Sequence, residues 1–454
     1  MTFIKNFHEL ASDENKRIVL TLLEEGVKAS DPIEVIKNSV NVYDGKVVVK
    51  GIEEFDLKNF HRIIVIGAGK AAAKMALGLE YILGDMISSG IVTAPKGVKT
   101  KPRRIKVLEG DHPIPSNRNV ENTEKIIEFL KDRDEKDLVI VLISGGGSSL
   151  LTIPENNVRI EDIIETNRLL LKCGADIKEI NIVRKQICGV KGGKLFAKYI
   201  YPSRALTLII SDVVGDDIEV IASGPTAPNK STAKEAKEIL EKYGIWNEVP
   251  ISIKKHIENA MIKGDKSFNT EVFNKVRNIV ISNNMQTLKA INEKAVKMGY
   301  NSIIISSRIQ GEAREIGKVI GGILIEAHEN GMPVKPPATI IAGGETTVTV
   351  KGEGSGGRNQ ELALSVAKTI SGYIGITFAS MGSDGIDGNT DAAGAIVDWE
   401  TINRARSMGL NEDEYLRRND TYNYFKKLGG SLIITGITET NVNDLMIGFV
   451  KRNY

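Results

Sequence analysis

The spacing of apolar positions along the chain changes character twice. Over residues 5–28, Phe7, Leu10, Ile18, Leu20, Leu22 and Leu23 fall partly at helical spacing with charges between them, which predicts an amphipathic helix. The following stretch, NVYDGKVVVKG, alternates around an Asp-Gly pair and predicts a hairpin. From residue 62 the pattern becomes short apolar runs, each followed by glycines or turn residues. These are RIIVIGAGKAAAKMALGL, SGIVTAP, RIKVLEGDHPIPS, DLVIVLISGGGSSLL and RALTLIISDVVGDD, and a long helical stretch from Asp162 onward separates the last two. Continuous apolar runs alternating with helices predict parallel strands covered on both faces, because such strands have no solvent side to mark with polar residues.

Residues 231–275 are charged and helical with no clear strand, and they read as a connection between domains. A second strand and helix series then runs from NIVISNN through NSIIISS, a helix over 311–329, a strand pair in ATIIAGGETTVTV, a helix after GGRNQE, YIGITFAS, and SLIITG with a closing helix. The expected class is α/β, with an N-terminal Rossmann-like layered parallel sheet over residues 1–240. A second α/β domain with a mixed sheet is expected over 241–454. A chain of 454 residues is longer than one hydrophobic core usually serves, which agrees with two domains.

Composition narrows the partners. Sixty Lys and Arg against 58 Asp and Glu leave a formal charge of +2, so no broad field exists to gather nucleic acid or a membrane surface. Any anion must be bound locally. The two cysteines, Cys173 and Cys188, lie at no metal-ligand spacing and read as buried, reduced thiols. The opening MTFIKNFHELASDENKRIV carries charges throughout and no apolar core of a signal peptide. A cytoplasmic enzyme with a small-molecule substrate is the expectation, with a homodimer allowed.

The chemistry concentrates in turns that follow strands. In VIGAGKAAAKMA, Gly67 and Gly69 make a turn and Lys70 stands at the start of a helix, where the dipole is already positive; a cation is unfavourable there unless an anion pairs with it. The turn fits G-x-G-x-x-A, yet the next strand, SGIVTAP, ends without the acid that holds a nicotinamide ribose. In LISGGGSSLL, Gly145, Gly146 and Gly147 precede Ser148 and Ser149, so successive N–H groups can converge on phosphate oxygens without Cβ obstruction. In IISDVVGDDIEVIASGPT, Asp212 at a strand end is suited to accept a proton or hold Mg²⁺, and Asp216 and Asp217 are expected to begin a helix. The helical insert adds Arg184, Lys185, Lys191 and Lys194, as a solvated basic face or a ligand site. Further on, Arg358 opens a helix after a Gly-rich stretch and suits a phosphoryl or carboxylate clamp. Asp384, Asp387 and Asp391 form either a turn network or a metal site.

Taken in order, GAGKAA, GDHPIPS, SGGGSSLL, NIVRKQICGVKGGKL, ISDVVGDD with SGPT, GGETTV, GGRNQELAL, SDGIDGNTDAAGA and TNVNDL resemble the glycerate 2-kinase family, with its C-terminal MOFRL domain. The resemblance implies ATP- and Mg²⁺-dependent phosphorylation of D-glycerate to 2-phosphoglycerate. It implies Lys70, Asp212 and Arg358 as catalytic groups; from the turns themselves, nucleotide is expected at Gly67, Gly69, Gly145–Gly147, Ser148 and Ser149. Substrate is expected at Lys70, Arg184, Arg358 and Asp384, and metal at Asp212 and Asp384. Similar proteins often carry Gly-Pro-Thr-Gly-Thr before TNVNDL, whereas this chain has Ile437 and Glu439 in place of the Pro and the second Gly. An NAD(P)-dependent dehydrogenase using the G-x-G-x-x-A turn and a non-catalytic sugar-phosphate sensor are the other readings.

Overall fold

The computed structural model describes residues 2–264 and 270–452. The chain forms two compact units, one continuous (Pro32–Ile281) and one split (Met1–Asp31 with Ser282–Tyr454).

The continuous unit opens with a small antiparallel meander, β1 (Val40–Tyr43), β2 (Lys46–Val49) and β3 (Glu53–Asp56). Its first turn is the expected Asp-Gly pair, with φ of 49° at Asp44 and 76° at Gly45. The main sheet contains β4 (Arg62–Ala68), β5 (Ile87–Pro95), β6 (Ile105–Gly110), β7 (Asp137–Ile143), β8 (Arg204–Ile210) and β9 (Val276–Ser282), in the order β6-β5-β4-β7-β8-β9. The pairings from β6 to β8 are parallel. All seven residues of β7 are buried, as an apolar run covered on both faces should be.

The stretch over 231–275 is not a connection between units. Its helices, Ala233–Lys242 and Ile251–Lys263, bury Leu240, Ile253 and Ile257 against Leu170, Val183 and Ile187 of the insert helices Ile160–Lys172 and Ile177–Ile187. The chain then returns as β9, so NIVISNN completes the first sheet instead of opening the second. The expected boundary near residue 240 therefore lies inside the continuous unit.

The split unit carries β10 (Asn301–Glu312), β11 (Ala338–Thr347), β12 (Ile376–Gly382), β13 (Gly394–Asp398), β14 (Leu432–Ile433) and β15 (Asp444–Val450), ordered β10-β11-β15-β12-β13-β14. The β10–β11 pair is parallel and the rest are antiparallel, a mixed sheet. Three expectations fail here. ATIIAGGETT is one strand, and the segment expected as a closing helix is β15, whose DLMIGFV run is buried throughout between β11 and β12. The helix expected over 5–28 breaks into Phe7–Leu10 and Glu14–Ala29, where the Asp13 carboxylate accepts from the Lys16 N–H as an N-cap. Its Leu20, Leu22, Leu23 and Val27 join Ile291, Leu445 and Phe449 in one core. A Cβ on Gly26 would meet the side chains of Ile291 and Leu445, which is how closely this helix approaches.

Cys188 is buried, Cys173 is only half-buried, and both are free thiols. Among the described residues no helix is long and apolar enough to cross a membrane.

Candidate active site

In open parallel sheets, ligands settle beyond the carboxyl ends of the strands where the strand order reverses. In the continuous unit that place is β4 beside β7, from which the chain proceeds outward in opposite directions. The turns that follow these two strands are the GAGK and SGGGSS segments, and they are hydrogen-bonded to each other. The Lys70 N–H donates to Gly145 O at 2.8 Å, the Ser144 N–H to Ala68 O at 3.3 Å, and the Ala71 N–H to Ser144 Oγ at 3.0 Å. Gly69 has φ +145°, and a Cβ there would collide with Ser144, so only glycine allows the two turns this approach.

Gly146 has φ +81°, and a Cβ there would lie 2.9 Å from His112 Cδ2 and 3.3 Å from Lys70 Cγ. Lys70 and His112 therefore flank the same glycine. His112 was not among the expected site residues; its signal was a polar side chain just past the end of β6 in GDHPIPS. Lys70 precedes the helix Ala72–Leu83 by two residues, and the helix after the triple glycine is a single turn, Gly147–Leu150.

A second set of contacts extends this turn. Ser148 Oγ is 2.9 Å from Ser223 Oγ, and Ser223 Oγ donates to Asn181 Oδ1 at 2.7 Å. Ala222, Ser223 and Gly224 are all left-handed, with φ of 50°, 61° and 60°. Two of these are not glycine, and each costs roughly 1–2 kcal/mol in that conformation. Ala222 packs where a Cβ on Gly147 would be, 2.8 Å away. Asp212 lies two residues beyond β8. Asp216 and Asp217 do not begin a helix, because Gly215 and Asp216 have φ of 96° and 59°, and the chain makes a turn closed by the Glu219 N–H on Asp217 at 2.9 Å. The basic insert is not a solvated face: Lys185 and Lys191 are buried, Lys185 pairs with Glu219 at 3.4 Å and Lys194 with Glu155 at 2.6 Å.

In the split unit, Arg358 is the first residue of the helix Arg358–Thr369. Its Nε donates to Asp444 Oδ2 at 2.7 Å, Nη2 to Asp444 Oδ1 at 3.0 Å, and Nη1 to Glu345 Oε1 at 3.2 Å. The two-bond face expected to clamp a ligand is thus taken by Asp444, and Nη1 is itself engaged by Glu345. Burial works against the Arg358 charge, but the Asp444 and Glu345 carboxylates outweigh it and raise the guanidinium above its ordinary value. Burial raises the Asp444 carboxyl against the pull of Arg358.

Asp387 accepts from the Asn359 N–H at 3.0 Å and the Gln360 N–H at 2.9 Å, capping the same helix, and a Cβ on Gly357 would collide with it. Burial pushes Asp387 up to about 6 despite those donors. Asp391 accepts from Tyr422 Oη–H at 2.7 Å, and Asp384 from the Ile386 N–H at 3.2 Å. Asp387 and Asp391 therefore serve a turn network. Among the described residues no group of three or more His, Cys, Asp or Glu side chains could hold a metal ion. In the departing loop Ile437 is 73% exposed, Glu439 has φ +59°, and Thr438 donates through Oγ1 to Ser383 O at 2.6 Å.

Residues 18–258 match a family model described as a domain of unknown function, DUF4147, and residues 338–444 match the MOFRL family. Glycerate 2-kinase of Pyrococcus horikoshii is 42% identical over 436 residues, covering 96% of this chain and 97% of that protein. A putative hydroxypyruvate reductase of Agrobacterium vitis is 41% identical, covering 85% of this chain and 98% of its own length. A crystal structure of glycerate kinase from Thermotoga maritima matches with a TM-score of 0.83 at 38% identity, over 96% of this chain and 99% of that one.

Proposed function

Because the chain belongs to the glycerate 2-kinase family, we propose that it transfers the γ-phosphoryl group of ATP, with Mg²⁺, to the 2-hydroxyl of D-glycerate in the cytoplasm. The observation that carries this reading is the pair of linked glycine turns where the β-sheet order reverses, with Lys70 and His112 flanking Gly146. A loose phosphoryl-transfer transition state requires positioning and charge neutralisation rather than a covalent nucleophile. Backbone N–H groups and a lysine at a Cβ-free turn fit the phosphates of a nucleotide.

In this reading the Gly67–Lys70 and Gly145–Ser149 turns hold nucleotide phosphates and the Lys70 ammonium neutralises the transferring group. Asp212 accepts the proton of the attacking hydroxyl, and Arg358 offers to an oxyanion the guanidinium hydrogens that Asp444 and Glu345 leave over. Asp212 offers hard oxygen atoms of the kind that magnesium prefers, and with no cluster of three or more carboxylates among the described residues the ion fits as one carried mainly by phosphates and water. When bound, it neutralises and orients the ATP phosphates.

The relative named a putative hydroxypyruvate reductase makes nicotinamide chemistry the reading to set against this one. It is opposed by the end of β5, where Thr93, Ala94 and Pro95 lead to Lys96: the strand itself ends without an acid for a ribose, and the neighbouring Asp111 carboxylate is held by Lys96 at 2.5 Å. Incubation with ATP, Mg²⁺ and D-glycerate, with the product identified by phosphorus NMR, should give 2-phosphoglycerate, and added enolase should yield phosphoenolpyruvate without a mutase. A 3-phosphoglycerate product, full turnover in excess chelator, or NADH oxidation with hydroxypyruvate in place of ADP formation would each overturn the reading.

A further inference from the structure

The second half of the insert helix Ile177–Ile187 and the loop after it carry four cations, Arg184, Lys185, Lys191 and Lys194, and the structure divides them into two kinds. Lys185 and Lys194 have carboxylate partners, Glu219 and Glu155. Lys191, 4% exposed, gives its hydrogens to Ser148 O at 2.7 Å, Leu151 O at 2.9 Å and Thr152 Oγ1 at 3.2 Å, all neutral acceptors, with the Cys188 thiol beside it. Arg184 donates from Nε to Asn167 Oδ1 at 2.8 Å. Among the described residues no carboxylate pairs with either of these two. Burial pushes both the Arg184 guanidinium and the Lys191 ammonium below their ordinary values, and Arg184 adds to the depression at Lys191. Two desolvated cations in one neighbourhood, without an acid, are costly to keep unless an anion arrives to balance them.

The geometry suits one kind of anion. Asn167 fixes the Nε side of Arg184, so the paired Nη donors are left as a planar, preoriented edge, the shape that meets two coplanar oxygens. Asn181 lies one helical turn before Arg184, hence on the same side of the helix. It receives the Ser223 hydroxyl, which in turn contacts Ser148. Lys191 grips the carbonyl of that same Ser148. A guanidinium edge beside a chain of hydroxyl groups and an amide matches a small molecule bearing a carboxylate next to alcohol groups.

We propose that Arg184, positioned by Asn167 and backed by the buried charge of Lys191, binds the carboxylate of the acceptor and selects hydroxycarboxylates over neutral polyols. This rests on the kinase reading above and names the group that distinguishes its acceptor. A nucleotide phosphate presents similar oxygens, and the kinetic constants of the two substrates separate the sources.

The test uses the full chain and the variants Arg184→Met, Arg184→Lys and Asn167→Ala, with thermal melts to confirm folding. Arg184→Met should raise KM for D-glycerate roughly 10²-fold, the loss seen when one partner of a desolvated charge pair is removed, while KM for ATP stays within about 2-fold. Arg184→Lys should recover part of the loss, and Asn167→Ala should raise KM for glycerate with kcat little changed. The preference for glycerate over its neutral amide, glyceramide, should collapse in Arg184→Met. A rise in KM for ATP alone would assign Arg184 to phosphate and overturn the proposal, as would unchanged constants for both substrates. Calorimetric binding of D-glycerate without nucleotide keeps the two readings apart. Binding that Arg184→Met abolishes supports the carboxylate site even if no phosphoryl transfer occurs, and binding that it leaves intact, or no binding to the native chain, overturns it.

Discussion

The two units treat the same residue type in opposite ways. In the continuous unit Arg184 is desolvated and keeps a two-donor edge clear of any acid, with Lys191 nearby. In the split unit Arg358 is held on three of its nitrogens by Asp444 and Glu345, while Asp387 caps its helix. An arginine without an acid is a reservoir of attraction for an anion. An arginine surrounded by acids is first a structural pin, and it presents to solvent only what the pin leaves over. The difference teaches that the charge of a candidate residue says little until its partners are known.

The largest expected effect would test that contrast directly. Lys70→Ala and Arg358→Ala should each lower kcat/KM by roughly 10²–10⁴, the range for removing a preorganised charge partner. Lys70→Ala should barely move the melting temperature, whereas Arg358→Ala should lower it, because Asp444 is left buried without its cation. Equal melting temperatures for the two variants would erase the distinction drawn here.

Next in size is Asp444→Asn, which breaks a buried pair from the other side and should cost about 3–5 kcal/mol in a denaturant titration. A smaller loss would mean that Arg358 finds compensation in Glu345. Gly146→Val follows. It forces a branched residue into a left-handed turn against His112 and Lys70, and should weaken ATP binding by about 10-fold, a cost of roughly 1–2 kcal/mol. Unchanged nucleotide kinetics in a folded protein would reduce the triple glycine to a tight turn. The smallest effect is a gain: Glu439→Gly relieves a left-handed non-glycine residue in the split unit and should stabilise it by about 1 kcal/mol, with kinetics unaltered. A destabilised variant would show that the Glu439 side chain is worth more than the strain at its backbone.

Much of the fold was legible because local sequence carries it. The runs that became β4 and β7 are apolar from end to end, and the Asp-Gly pair between β1 and β2 could hardly be anything but a turn. What escaped was decided by distant partners. The helices over 233–263 look like a charged connection until Leu240, Ile253 and Ile257 find Val183 and Ile187. The last apolar run became β15 because β11 and β12 leave a gap that only a strand can fill. The glycine turns were legible as tight turns following strands, but their hydrogen bonds to one another follow from strand order, which no local pattern encodes. Arg358 was visible as a cation at a helix start, while its partner Asp444 lies 86 positions away. His112 was overlooked because nothing near it in sequence shows that Gly146 and Lys70 lie against it.

The split unit also has a history on the ribosome. Its helix Glu14–Ala29 is made before the whole of the continuous unit, yet Leu445 and Phe449, which help cover its apolar face, belong to β15. At typical synthesis rates of 5–20 residues per second, the intervening stretch of about 400 residues takes roughly 20–80 s to emerge. During that interval the continuous unit can fold as soon as its own residues are out, whereas Leu20, Leu22 and Leu23 wait for the last of their partners. The nascent chain therefore carries an incompletely covered apolar helix beside a finished domain until β15 closes the sheet from within.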